Sequence, residues 1–150
     1  MKEYIVHNEK EVKGFDGDYR FLSNFSMAGV YFDGLWYPST ENAYQSAKTF
    51  DERERKRFRN MTPGQSKKEG RKLEIRADWD KVKIDVMSSI VFDKFYRNKE
   101  LRQKLMDTGD KYLEETNDWG DKFWGVCDGE GQNELGKILM NIRNFWKNGK

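Results

Sequence analysis

The sequence predicts a single α+β domain that mixes helices with a small antiparallel hairpin. Val30-Tyr31-Phe32, Asp33-Gly34 and Leu35-Trp36-Tyr37 place two aromatic, β-prone runs around a dipeptide suited to a tight primed turn. Trp79, Val82, Val86, Met87, Ile90, Val91 and Phe95 recur at the 3.6-residue period and mark a central core helix. Leu135, Ile138, Leu139, Ile142 and Phe145 repeat that pattern in a last helix. At 150 residues the chain suits one domain over 1–150, long enough to bury a core.

In chain order, Tyr4-Ile5-Val6 reads as a short first strand and Gly14 to Asp18 as a turn. Phe21-Leu22-Ser23-Asn24-Phe25 reads as a strand end with a turn-forming Ser-Asn pair. After the hairpin, Pro38 and Ser39 open a helix, the Ser39 hydroxyl serving the orphan amides of the first turn. Glu41, Tyr44, Gln45 and Lys48 follow at i, i+3, i+4 and i+7, which stacks them on one face. That row is either a solvated face with a Glu–Lys pair or the polar lining of a site, flanked by Trp36, Tyr37 and Phe50. Asp51 to Arg59 reads as a charged, exposed continuation. Thr62-Pro63 supplies an N-cap and first-turn proline for a basic helix reaching about Ile75.

Asp78 is placed to cap the helix that starts at Trp79. Lys83, on the flank of its apolar stripe, either buries its stem and sends its ammonium to water or sets an amine at the rim of a pocket. Asn98 is placed to cap a short helix carrying Leu101, Leu105 and Met106, which Thr108-Gly109-Asp110 stops. Tyr112-Leu113-Glu114 reads as a strand. Asp121 then falls three residues before Trp124, and Gly129-x-Gly131 leads into the last helix.

Charged residues make up 36% of the chain and the mean hydropathy is −1.02, so a well-hydrated surface is expected. No apolar run nears the roughly 20 residues of a membrane helix, and the first eleven residues lack the apolar segment of a signal peptide. The single cysteine, Cys127, excludes an internal disulfide and fits a reducing cytoplasm. His7 is the lone histidine and no Cys/His cluster exists, so neither a metal nor another cofactor is expected. The net charge of +2 hides a polarity: from Glu52 to Arg76 ten Lys/Arg face four Asp/Glu, whereas Asp107 to Glu134 holds nine acids and two lysines. The basic block is either a solubilising face or a surface for a polyanion such as nucleic acid or a pyrophosphate.

These residues support a definite chemistry. Glu41 and Asp121 could stabilise a cationic sugar transition state and steer a water, as cleavage of a C–N bond at an anomeric carbon demands. A place in the first turn of a helix favours the ionised form of Glu41. Lys48 or Lys83, made neutral by burial, could exchange with the imine of a ring-opened ribosylamine. Trp124 and Tyr44 could stack on a base or cover a ribose. The Gly129-x-Gly131 pair is either a plain loop or an anion site at a helix N-terminus.

Taken together, Phe21-Leu22-Ser23-Asn24-Phe25, Ser39-x-Glu41-Asn42-x-Tyr44-Gln45-x-x-Lys48, Trp79-x-x-x-Lys83-x-x-x-Met87, Lys94-Phe95, Thr108-Gly109-Asp110, Trp124-Gly125 and Gly129-x-Gly131-x-Asn133-x-Leu135-Gly136-x-x-Leu139-Met140-x-x-Arg143 resemble the NADAR, or YbiA-like, family. The resemblance runs from about Phe15 to Arg143. It implies a compact, mostly helical α+β domain acting as an N-glycosidase on ribose–nitrogen bonds, with no cofactor. The implied substrates are ADP-ribose on guanine of DNA or RNA, the first choice, or ribosylated pyrimidine intermediates of riboflavin synthesis. A non-catalytic reader of ADP-ribose or NAD is the rival from another class. By resemblance Glu41, Lys48, Lys83 and Asp121 are the catalytic candidates. Asn24, Tyr44, Trp79, Trp124, Gly129, Gly131 and Asn133 would line the sugar-phosphate pocket. One departure stands out: some relatives carry histidine where this chain has Asn42.

Overall fold

In the computed structural model, which describes residues 2–149, the chain is α+β with about half of those residues helical. The order is β1 (Val6–His7), β2 (Glu11–Lys13), a 3-10 turn (Gly17–Leu22), β3 (Val30–Phe32), β4 (Leu35–Tyr37), α1 (Thr40–Ser46), α2 (Glu52–Arg57), a second 3-10 turn (Phe58–Asn60), α3 (Pro63–Gly70), α4 (Trp79–Arg97), α5 (Lys99–Asp107), β5 (Tyr112–Glu114), β6 (Thr116–Asn117), β7 (Val126–Cys127) and α6 (Glu134–Asn148). Contacts gather these into two units, Asn24–Lys99 and the pair 2–23 with 100–149.

In the Asn24–Lys99 unit the hairpin forms as expected, with Val30 opposite Tyr37 and Phe32 opposite Leu35. Asp33 at φ 48° and Gly34 at φ 82° take the two left-handed positions that a primed turn requires. Ser39 caps α1, its Oγ accepting from the Asn42 amide at 3.1 Å. Asn42 returns its own amide group to the Phe58 and Met61 carbonyls at 2.7 and 2.8 Å, joining α1 to the turn behind it. α1 ends at Ser46, sooner than the row of four demands. Beyond it the bonds tighten to i→i+3 (Lys48 to Gln45, Thr49 to Ser46), and Lys48 sits on a turn outside the helix.

Residues 51–59 are mostly exposed, as expected, but fold as a helix of their own and bury Arg55 and Phe58. Asp51 caps the separate helix α2, and Arg55 is buried between the Thr49 carbonyl and the Asp33 carboxylate, both at 2.8 Å. The Thr62–Gln65 capping box starts α3, which stops at Gly70 instead of near Ile75, because Lys72 and Leu73 close tight turns onto Glu69 and Gly70. α4 buries Trp79, Met87, Ile90, Val91 and Phe95 as the stripe predicts, with Val82 and Val86 half-buried. Asp78 precedes it without a side-chain cap, since Arg76 holds its carboxylate. Asn98 closes the end of α4, where its backbone and side-chain N–H groups reach the Lys94 carbonyl, and α5 follows at once from Lys99.

In the other unit the first strand begins only at Val6, because Ile5 turns back onto the Lys2 carbonyl. β2 pairs antiparallel with β1 and parallel with β5, burying Val12 beside Leu113. Phe21 and Leu22 finish a 3-10 turn capped by Asp16, so no strand ends there. Gly109 at φ 61° turns the chain from α5 toward β5. α6 buries Leu135, Ile138, Leu139 and Ile142, but Phe145 is 52% exposed, one turn past the covered stretch. Among the described residues no helix is long and apolar enough to cross a membrane, and no group of His, Cys, Asp and Glu is arranged to hold a metal ion.

Candidate functional site

Six of the eleven candidate residues lie in the Asn24–Lys99 unit. α1 packs against α3 and α4, which buries its polar row: Glu41 is 6%, Tyr44 6% and Gln45 5% exposed. The row is therefore no solvated face. A carboxylate withdrawn from water needs donors. Gln45 supplies one, its Nε2 donating to Glu41 Oε2 at 2.7 Å across one helical turn. The backbone adds a tie, as the Glu41 amide donates to the Asn24 carbonyl at 3.1 Å. Asn24 in turn reaches Met87 Sδ with its Nδ2 at 3.5 Å, which ties it to α4.

Tyr44 and Trp79 face one another at 5.2 Å between ring centroids, tilted by 50°. Lys48 Nζ lies 5.6 Å from the Tyr44 centroid. Burial pushes the Lys48 amine below its ordinary 10.5; the Glu41 carboxylate opposes that, and the cations of Arg71, Lys83 and Lys67 add to it. Lys83 is half-buried and meets the exposed Asp80 carboxylate at 3.4 Å. One carboxylate and several cationic groups thus meet around an aromatic pair, and a carboxylate so placed can stabilise positive charge that develops near it.

The remaining five candidates belong to the other unit. Asp121 Oδ1 accepts from the Phe123 and Trp124 amides at 3.1 and 2.9 Å, which sets the turn that presents Trp124. The Asn117 side chain braces the same turn through the Asp121 backbone at both N–H and carbonyl. Asn133 is buried, its amide group donating to the Leu113 carbonyl at 2.9 Å and accepting from the Glu115 amide at 3.0 Å. Gly129 closes a left-handed turn, and Gly131 passes so near Gly125 that a Cβ would lie 2.2 Å from its carbonyl oxygen. The anion cradle suggested by the glycines is taken up by backbone. The amides of Gln132, Asn133, Glu134 and Leu135 donate to the carbonyls of Lys122, Gly125, Phe123 and Trp124.

Sequence reasoning left Gln45 and Gly70 out of the site. An amide in a polar row carries no catalytic signal of its own, and a glycine at the end of a helix reads as a stop signal. Here Gly70 makes room: a Cβ on it would sit 2.0 Å from Gln45 Oε1. Because that oxygen ends a flexible chain, Gly70→Ala should fold normally yet push the amide off Glu41. With a buried carboxylate deprived of a charge-assisted hydrogen bond, kcat should fall about tenfold and the melting temperature should drop by a few degrees. Wild-type kcat in the folded variant would show that Gln45 does not orient the carboxylate.

The NADAR domain model matches residues 9–146. N-glycosidase YbiA of Escherichia coli is 34% identical over 130 residues, covering 84% of this chain and 81% of that protein. An N-glycosidase of Nostoc punctiforme is 33% identical over 137 residues and covers 87% of each. A riboflavin biosynthesis protein of Vibrio vulnificus is 38% identical over 132 residues, and the match spans 85% of this chain but only 36% of that longer protein. The NMR structure of Escherichia coli YbiA superposes with a TM-score of 0.83 at 30% identity, covering 97% of this chain and 90% of the other.

Proposed function

The chain belongs to the NADAR domain family, and on that premise we propose that it is an N-glycosidase cleaving the C1–N bond between a phosphorylated ribose and an exocyclic amine. The match from 9 to 146 leads us to treat 1–150 as one NADAR domain. The observation that carries the chemistry is a buried Glu41 carboxylate, held by Gln45, beside a Lys48 whose ammonium is destabilised by burial. As the C1–N bond lengthens, positive charge grows on C1 and the ring oxygen, and Glu41 stabilises it. Water then bonds to C1, and its proton leaves with the departing amine. The same residues allow a second route. If the ribosylamine opens to an imine, the neutral Lys48 amine adds to it and expels the exocyclic amine. Water next hydrolyses the lysine imine and restores Lys48. Tyr44 and Trp79 provide the apolar wall, and Lys67 and Arg71 suit a phosphate.

The first substrate reading is ADP-ribose on guanine of DNA or RNA, which the basic stretch 52–76 favours. The second is a ribosylaminopyrimidine phosphate, favoured by the riboflavin biosynthesis name of the Vibrio relative. Release rates on ADP-ribosylated guanine DNA and on the pyrimidine phosphate separate them. The first reading expects faster release from DNA, inhibition by unmodified duplex, and a steep fall with salt. Equal or faster release from the pyrimidine reverses the order.

A further inference from the structure

We infer that Arg76 is a positioning residue that sets Lys48 against the aromatic pair, by clamping the turn after α1 to the start of α4. The inference rests on the catalytic reading of Lys48 for its kinetic consequence, though not for its geometry. Lys48 lies outside α1, where its amide keeps a 3.3 Å bond to the Gln45 carbonyl and its carbonyl is left for a partner from elsewhere. Arg76 is that partner, its backbone amide donating to the Lys48 carbonyl at 2.8 Å. The guanidinium lies 3.9 Å over the Phe50 ring and reaches the Ala47 carbonyl at 3.4 Å, holding the turn on either side of Lys48.

The other end of the clamp is Asp78. Arg76 Nε and Nη2 donate to its two carboxylate oxygens at 2.6 and 2.9 Å, a fork that fixes angle as well as distance. The Arg76 carbonyl accepts from the Trp79 amide at 3.2 Å, so the same residue holds the ring against which Tyr44 rests. The Arg76 side chain is 11% exposed and that of Asp78 44%, so water reaches one end of the fork and its geometry matters more than its charge. Lysine could not replace it, since an ammonium neither forks nor stacks as a planar guanidinium does.

Lys48 is faced by Glu41 from α1, Lys67 from α3, Arg71 from the turn after it, and Lys83 from α4. Releasing the clamp lets the amine move from this burial toward water. The test uses the full chain with lysine side chains labelled at 13Cε, titrated by NMR beside the pH dependence of kcat. In Arg76→Gln, and in Asp78→Asn, the Lys48 resonance should titrate at higher pH than in wild type. The rise of kcat with pH should move the same way, kcat at neutral pH should fall roughly tenfold to a hundredfold, and KM should change little. Arg76→Lys should not rescue. Should Arg76→Gln fail to fold, Asp78→Asn, which keeps the side-chain shape, decides alone. A Lys48 titration identical to wild type in a folded variant overturns the inference. A resonance that moves while the kcat profile stays put upholds the clamp and removes Lys48 from the chemistry.

Discussion

Replacing Glu41 by glutamine should lower kcat by about a hundredfold to a thousandfold while leaving ligand affinity nearly intact. The substitution keeps length and shape, and the new amide oxygen can still accept the Gln45 hydrogen bond now made to Glu41 Oε2 at 2.7 Å. What disappears is the negative charge, at a position only 6% exposed where water cannot replace it. A ground-state ligand depends little on that charge, whereas a ribose with oxocarbenium character depends on it directly. Single-turnover release measured alongside calorimetric binding of the unreacted substrate separates the two effects. Wild-type turnover in the variant would remove Glu41 from the mechanism. A wild-type protein that binds substrate and never releases the amine would place the chain among readers.

The same side chain shows what was legible in the sequence. The spacing of Glu41, Tyr44 and Gln45 gave their common face correctly, because three residues fall within one short helix and the Ser39 cap fixes its start. It could not say whether that face met water. That depended on α3 and α4 packing over it, and nothing local in residues 39–50 encodes those partners. The hairpin was readable for the opposite reason, since Asp33-Gly34 carries its own turn chemistry. Parallel pairing of β2 with β5 joins Glu11 to Tyr112, too far apart for any turn signal. The i+7 spacing puts Lys48 on the helix, but α1 ends at Ser46, where the Ser46 hydroxyl bonds back to the Ala43 carbonyl at 2.7 Å. A carboxylate just before a helix looks like a cap in the sequence, yet Arg76, two residues earlier, claims the Asp78 side chain.

Lys48→Met should cut turnover by roughly a hundredfold or more and, over one pH range, make the protein more stable than wild type. Burial holds the Lys48 amine below its ordinary 10.5; Arg71, Lys83 and Lys67 reinforce this against the opposing pull of Glu41. Below the folded-state value both folded and unfolded chains carry the proton, and the folded chain bears the full penalty of a buried ammonium. Between that value and 10.5 the unfolded chain binds more protons than the folded one, so wild-type stability rises with pH. Above 10.5 the amine is neutral in both states and the penalty is gone. Methionine fills similar space and carries no charge, so its advantage should be widest near neutrality and close as pH climbs toward 10.5. Urea midpoints for both proteins from about pH 7 to about pH 10 measure that gap, while most other groups titrate alike in the two and cancel. Parallel curves would mean Lys48 is as easily protonated in the folded chain as in the unfolded one. In that event a neutral amine could not be the nucleophile near pH 7, and cleavage would rest on the Glu41 carboxylate and water alone.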